Sequence, residues 1–175
     1  MHKRTGYTVT IETRRLIIKE FDLSMAKAVH ENSLDDDTRR FVPDEVFETE
    51  NDAKETIEFL MSQYSTDDGP LVYPVFTKAG ENIGYVQLVP IKEGWEIGYH
   101  IAKKYTGNGY ASEAVSAFLP VTTEKKSLAE IYGICLEENI ASVRVMEKCG
   151  FENIYSGDGE YQGKKCGIVK MIWRK

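Results

Sequence analysis

Nowhere does this chain hold an apolar run approaching the length that crosses a bilayer, so no membrane partner is expected. Its first stretch, Met1 to Arg15, lacks the apolar segment of a secretory leader, which points to the cytoplasm. Cysteine is scarce. Cys135, Cys149 and Cys166 are odd in number and widely spaced, without the paired spacing of a zinc site, so reduced buried thiols and no metal are expected. Positive charge is in deficit as well: 22 Lys and Arg stand against 28 Asp and Glu. The resulting net charge of −6 argues against nucleic acid and leaves room for a cationic ligand. With no repeat, linker or low-complexity tract, the 175 residues, 42% of them hydrophobic, read as one domain over 1–175 with a full core.

What the chain does have is a stretch from Trp95 to Phe118 that begins as a strand, breaks at a glycine pair and resumes as a helix. Trp95, Ile97, Tyr99 and Ile101 alternate with Glu96, Gly98, His100 and Ala102, the period of two of a β-strand. One side is apolar; the other carries Glu96 and His100. Gly107-Asn108-Gly109 then supplies pliant backbone, and Ala111, Ala114, Val115 and Phe118 recur at helical spacing. A glycine turn feeding a helix makes an anion cradle, because the first helical N–H groups lack partners and point outward.

The remaining segments fall into order around it. Val9 to Glu20 reads as a first strand, and Asp22 or Ser24 caps a short helix through Ala26, Val29 and His30. Asp35 to Val46 has no period and reads as a loop or broken helix. Thr49 and Asp52 form a capping box for a helix burying Ala53, Ile57, Leu60, Met61 and Tyr64. Strands follow at Leu71–Lys78 and Asn82–Ile91. In the helix from Ala111, Pro120 predicts a kink or an early end. Ile131–Leu136 is a short, nearly all-apolar strand of the kind that pairs in parallel. Asn139 leads a helix, Ile140–Cys149, that Gly150 ends, and a hairpin of Ile154–Tyr161 and Cys166–Trp173 closes the chain. The order is β-α-α-β-β-β-α-β-α-β-β.

The glycine turn is not a P-loop, since Tyr110 and Ala111 stand where Lys and Ser/Thr belong, nor a Rossmann fingerprint, since position 112 is Ser112. Thr106-Gly107-Asn108-Gly109-Tyr110-Ala111 instead resembles the acyl-CoA pyrophosphate loop Q/R-x-x-G-x-G/A of the GNAT N-acetyltransferases, with Thr106 in place of the long polar residue. A second motif, Asn139 to Phe151, is similar to the N-x-x-S-x-R-V-x-E-K-x-G-F signature of the branch containing ribosomal-protein alanine acetyltransferases and their small-molecule relatives. Glu12-Thr13-Arg14-Arg15-Leu16 resembles that branch's opening T-E/P-R-L with one extra arginine, and Glu96-Ile97-Gly98-Tyr99 completes the set, so the resemblance covers nearly the whole chain.

The resemblance implies an α/β fold with a mixed sheet and two splayed parallel strands, and acetyl-CoA as acyl donor to a primary amine, a protein N-terminus or a small molecule. It also implies the site. Gly107, Asn108, Gly109, Tyr110 and Ala111 would hold the pyrophosphate, with Thr106 contributing less than the residue it replaces. The backbone of Ile101, Ala102 and Lys103 would pair with the pantetheine amides, and Asn139 would bond the same arm as well as cap its helix. Tyr110 and Lys103 or Lys104 would brace phosphates and adenine. Glu96 is the candidate general base, with a structural buried carboxylate as the competing reading. Ser142 is the candidate thiolate proton donor or cofactor contact, since Met146 stands where many relatives carry a tyrosine. His100 is read as a packed, hydrogen-bonded strand histidine or a second base. A catalytically silent acyl-CoA-binding module is the alternative function, and a homodimer is left open.

Overall fold

The computed structural model describes residues 8–175, so part of the segment inspected for a leader lies outside the described residues. Among these residues eight strands form one sheet in the order β1-β2-β3-β4-β5-β6-β8-β7. The strands are β1 (Thr10–Glu12), β2 (Leu16–Lys19), β3 (Leu71–Thr77), β4 (Asn82–Ile91), β5 (Gly94–Ile101), β6 (Glu130–Leu136), β7 (Glu152–Tyr161) and β8 (Lys164–Arg174). The helices are α1 (Ala26–Ser33), α2 (Asp36–Phe41), α3 (Glu50–Gln63), α4 (Tyr110–Lys126) and α5 (Ile140–Lys148). The mixed α/β architecture expected from the sequence is present.

The first strand and the end of α4 differ from the sequence reading for local reasons, while the broken-helix reading of Asp35–Val46 holds. The first strand is two. The Thr13 hydroxyl accepts from the Leu16 N–H at 2.8 Å and from the Arg15 N–H at 3.3 Å, folding the chain back so that β1 and β2 pair antiparallel. The aperiodic Asp35–Val46 segment contains α2, capped by the Asp35 carboxylate on the Thr38 N–H, and a 3₁₀ turn at Pro43–Glu45. Finally, α4 does not end at Pro120 but runs on to Lys126. The Thr122 and Thr123 hydroxyls, both buried there, donate to the Phe118 and Leu119 carbonyls at 2.8 and 2.7 Å. The capping box at Thr49 and Asp52 forms in both directions and starts α3.

Alternation along the sheet sorts its two faces. Val86, Leu88 and Ile97 pack with Ala114, Val115 and Phe118 of α4 in the larger core, while Val72 joins Ala26, Ile57 and Leu60 of α1 and α3 in a smaller one. Every neighbouring pair of strands is antiparallel except β5 and β6. That parallel pair shares one registered position, Glu96 opposite Tyr132, whereas β4 and β5 match from Gly84–Ile101 to Ile91–Gly94. Beyond Glu96 the two strands part. The sheet is therefore two antiparallel halves with an opening between them.

Candidate active site

The opening is lined as a cavity of about 350 Å³. Because it lies between diverging strands, it reaches both faces of the sheet. Glu96 and Gly98 point to the α1–α3 face, with Gln87 and Val89 opposite them on β4; Ile97 and Tyr99 point to the α4–α5 face. Asn139, Ser142 and Met146 of α5 close the second side, and Glu45, Tyr161 and Gln162 the first.

Glu96 is half-buried. Burial pushes its carboxyl up to about 7, against a hydrogen bond from the Ile134 backbone and the charge of Lys170, with Glu93 adding to the rise. No arginine pairs with it among the described residues. Glu45, delivered by the 3₁₀ turn, behaves alike: burial takes it to about 7, the Gln87 hydrogen bond opposes, and the charges of Asp44 and Glu96 add.

On the opposite face, Tyr99 Oη donates to the Ser142 carbonyl at 2.9 Å and lies 2.8 Å from Ser142 Oγ. Burial holds the Tyr99 phenol well above its ordinary value, so it stays protonated. Ser142 sits in the first turn of α5, whose start is fixed by Asn139: its side-chain oxygen accepts from the Ser142 N–H at 3.2 Å. The thiol of Cys135, pushed up to about 11 by burial, also lines this side as a neutral group.

The glycine loop lies outside this cavity, at the start of α4. Gly107 and Gly109 have φ of +81° and +77°, the left-handed region that glycine occupies without strain. Several carbonyls in and before the loop already have donors within the protein. Lys103 O accepts from the Thr106 hydroxyl, Tyr105 O and Thr106 O from the Asn108 amide, and Asn108 O from Arg15 Nη1 at 2.9 Å. Gly109 provides no side-chain cap. Among the described residues, the N–H groups from Gly107 to Ser112 therefore have no protein acceptor, and the space above Gly107 is open. This is an anion cradle that fits a pyrophosphate.

The other expected positions fall as follows. Ala102 N–H bonds Ile83 O at 2.8 Å, following Ile101 at the end of β5, and Lys103 starts a 3₁₀ turn. The Lys103 ammonium is held by Asp37 at 2.5 Å, Lys104 lies over Tyr105, and Tyr110 lies under the Arg15 guanidinium at 4.7 Å. His100 is not in the cavity lining. Its Nε2 is 2.7 Å from Thr38 Oγ1, its ring stacks on Tyr85, and burial lowers its pKa.

Sequence reasoning did not single out Glu45, Gln87, Tyr99 or Arg15. Period-two alternation placed Tyr99 with the apolar residues, which is right for its ring and silent about its hydroxyl. Arg15 was legible only as part of a motif, yet it binds Glu113 at 2.6 Å, Asn108 and Tyr110 together and so ties the β1–β2 turn to the loop.

With this geometry the comparisons agree. The family model for the acetyltransferase (GNAT) domain matches residues 15–152. This chain belongs to the GNAT acetyltransferases. It is 34% identical to the uncharacterized N-acetyltransferase YnaD of Bacillus subtilis over 143 residues, 80% of this chain and 81% of that one. A GNAT-family acetyltransferase from Bacillus anthracis superposes with a TM-score of 0.80 at 27% identity, covering 95% and 98% of the two chains. The fold is shared also with RimL, a ribosomal L7/L12 alpha-N-protein acetyltransferase solved with coenzyme A (TM-score 0.81, 18% identity, 95% and 98% covered). The acetyltransferase described here is accordingly an N-acetyltransferase of a family that transfers acetyl groups from acetyl-CoA. Among its described residues no helix is long and apolar enough to cross a membrane.

Proposed function

We propose that the enzyme acetylates a primary amine by direct attack on acetyl-CoA within the β5–β6 opening. The observation that carries this reading is the cavity itself. It joins a carboxylate near neutrality on one face of the sheet to a hydroxyl pair on the other, so amine and thioester approach from opposite sides.

An amine at neutral pH is an ammonium and must lose a proton before it attacks. Glu96, half-buried with a pKa of about 7, is matched to that task, directly or through one water. Acetyl-CoA supplies the activated acyl group. As the N–C bond forms and the C–S bond breaks, the amine gives up two protons in all: one ends on the sulfur, the other leaves through Glu96. Ser142 Oγ and Tyr99 Oη face the sulfur side. A phenol held above its ordinary pKa keeps its proton, which is committed to the Ser142 carbonyl, so Ser142 Oγ is assigned as the hydrogen-bond donor to the developing negative charge and Tyr99 as the residue that positions it. The amide cradle of Gly107 to Ser112 is assigned the pyrophosphate, and Asn139 the pantetheine arm.

Free thiol release from acetyl-CoA, followed against a panel of peptide N-termini and small amines with product mass, tests the reading. A product heavier by one acetyl group for at least one amine is expected. Tight acetyl-CoA binding without acetylation of any amine would replace it with the silent module.

A further inference from the structure

The cavity wall is chemically one-sided. Its lining includes three carboxylates, Glu45, Glu96 and Glu160, and among the described residues no lysine, arginine or histidine. None of the three takes part in an ion pair among those residues. The Lys170 ammonium, whose charge reaches Glu96, is itself 3.8 Å from Glu93.

Glu45 is held at this wall by a built contact. Gln87 Nε2 donates to its Oε1 at 3.1 Å. Gln87 stands in register with Gly98, and a Cβ at position 98 would lie 2.6 Å from Gln87 Nε2 and 2.8 Å from its Cγ. The missing side chain at 98 thus makes room for the amide that orients Glu45. From behind, His30 Nδ1 meets the Phe47 carbonyl at 2.7 Å, and the Phe47 N–H donates to Ser33 Oγ at 2.9 Å, fixing the segment that carries the carboxylate. The second oxygen of Glu45 has no protein donor among the described residues.

A half-buried carboxylate such as Glu45, with no counter-charge in the protein, is relieved either by taking up a proton or by pairing with a cation, and a cationic substrate in the cavity supplies the second. The amine that attacks cannot be that cation, because it has passed its proton to Glu96. A second nitrogen that stays protonated can. We propose that Glu45 is a specificity-determining carboxylate of the acceptor subsite and that the acceptor carries two cationic nitrogens. One is acetylated beside Glu96, and the other remains an ammonium against Glu45. The substrate class is a diamine or polyamine rather than a monoamine or a zwitterion. The inference rests on the amine-acetylation reading above and names the acceptor for that same site.

The test compares acceptors of equal reach: 1,4-diaminobutane, n-butylamine and 4-aminobutyrate, together with a serine-terminated tripeptide. For the unaltered enzyme, kcat/KM for the diamine should exceed that for n-butylamine by about tenfold to a hundredfold, the worth of one charged hydrogen bond, with 4-aminobutyrate poorer still. In Glu45→Gln the diamine-to-butylamine ratio should fall at least about tenfold, whereas Glu45→Asp retains part of it. Gly98→Ala, which displaces Gln87, should lower the ratio too. A ratio near one in the unaltered enzyme overturns the proposal without recourse to any variant, as does an unchanged ratio in a folded Glu45→Gln enzyme. If butylamine or the tripeptide is acetylated and the diamine is not, the acceptor inference fails and amine acetylation stands. If no amine is acetylated while acetyl-CoA binds by calorimetry, both fail.

Discussion

Tyr99 of β5 and Ser142 of α5 are joined oxygen to oxygen at 2.8 Å, and the same phenol donates to the Ser142 carbonyl at 2.9 Å. A strand and a helix that border the opening from opposite sides are thereby fixed to each other at the point assigned to the sulfur. Tyr99→Phe removes the phenolic donor and keeps the ring in the core. It should lower kcat by on the order of 10-fold, because Ser142 loses the hydrogen bonds that orient it, with little change in acetyl-CoA affinity. A more reactive thioester should recover part of the loss. Steady-state kinetics with the two donors reads both effects.

The cradle depends on Arg15, which holds the Asn108 carbonyl, Glu113 and the Tyr110 ring at once. Arg15→Ala should leave the sheet intact but loosen the loop, so acetyl-CoA binds about three- to tenfold more weakly because ordering cost is added to binding. Calorimetry against acetyl-CoA measures it.

Gly109 sets the start of α4 at φ +77°, and Gly107 precedes it at +81°. Gly109→Val places a β-branched residue in a region costing about 1–2 kcal/mol or more for any side chain, and should abolish detectable acetyl-CoA binding without unfolding the protein. Thr106→Ala should weaken binding far less, since the Thr106 hydroxyl already donates to Lys103 O at 2.8 Å and is turned into the loop.

Glu45 and Glu96 both carry folded-state pKa values of about 7 against an unfolded 4.5. The folded protein therefore binds more protons than the unfolded chain between these values. The stability this confers is full below about pH 4.5 and is lost as pH rises through 7. The melting temperature should fall between pH 5 and pH 8, and Glu96→Gln should flatten the decline by removing one of the two groups. Because the carboxylates interact, the titration belongs to the pair.

How far the sequence could be read follows from where each determinant lies. The Thr49–Asp52 capping box, the Asn139 cap and the Gly107–Gly109 turn are written within a few adjacent residues, and so were visible as pattern. The β5 face was visible because alternation reports the direction of each Cβ, which put Glu96 and Ile97 on opposite sides. What was hidden depends on contacts distant along the chain. Glu45 sits in a segment without period, and its position follows from Gln87, Gly98, His30 and Ser33, none of which announces the partnership. Tyr99 was hidden differently: periodicity places its ring, while its hydroxyl reaches a helix more than forty residues away. The early end that Pro120 suggested does not occur: α4 runs on to Lys126, with two threonines that bond back to the preceding turn beside the proline.

The most direct test of amine acetylation with Glu96 as base is the pH dependence of kcat/KM for a good acceptor in the unaltered enzyme and in Glu96→Gln. The unaltered enzyme should show a low-pH limb with an apparent pKa of about 7. In Glu96→Gln kcat should fall by about 10²–10⁴-fold, as removal of a general base does, the limb should vanish, and acetyl-CoA affinity should hold. A Glu96→Gln enzyme within a few-fold of the unaltered one, with the limb intact, would contradict the account and leave Glu96 a structural carboxylate.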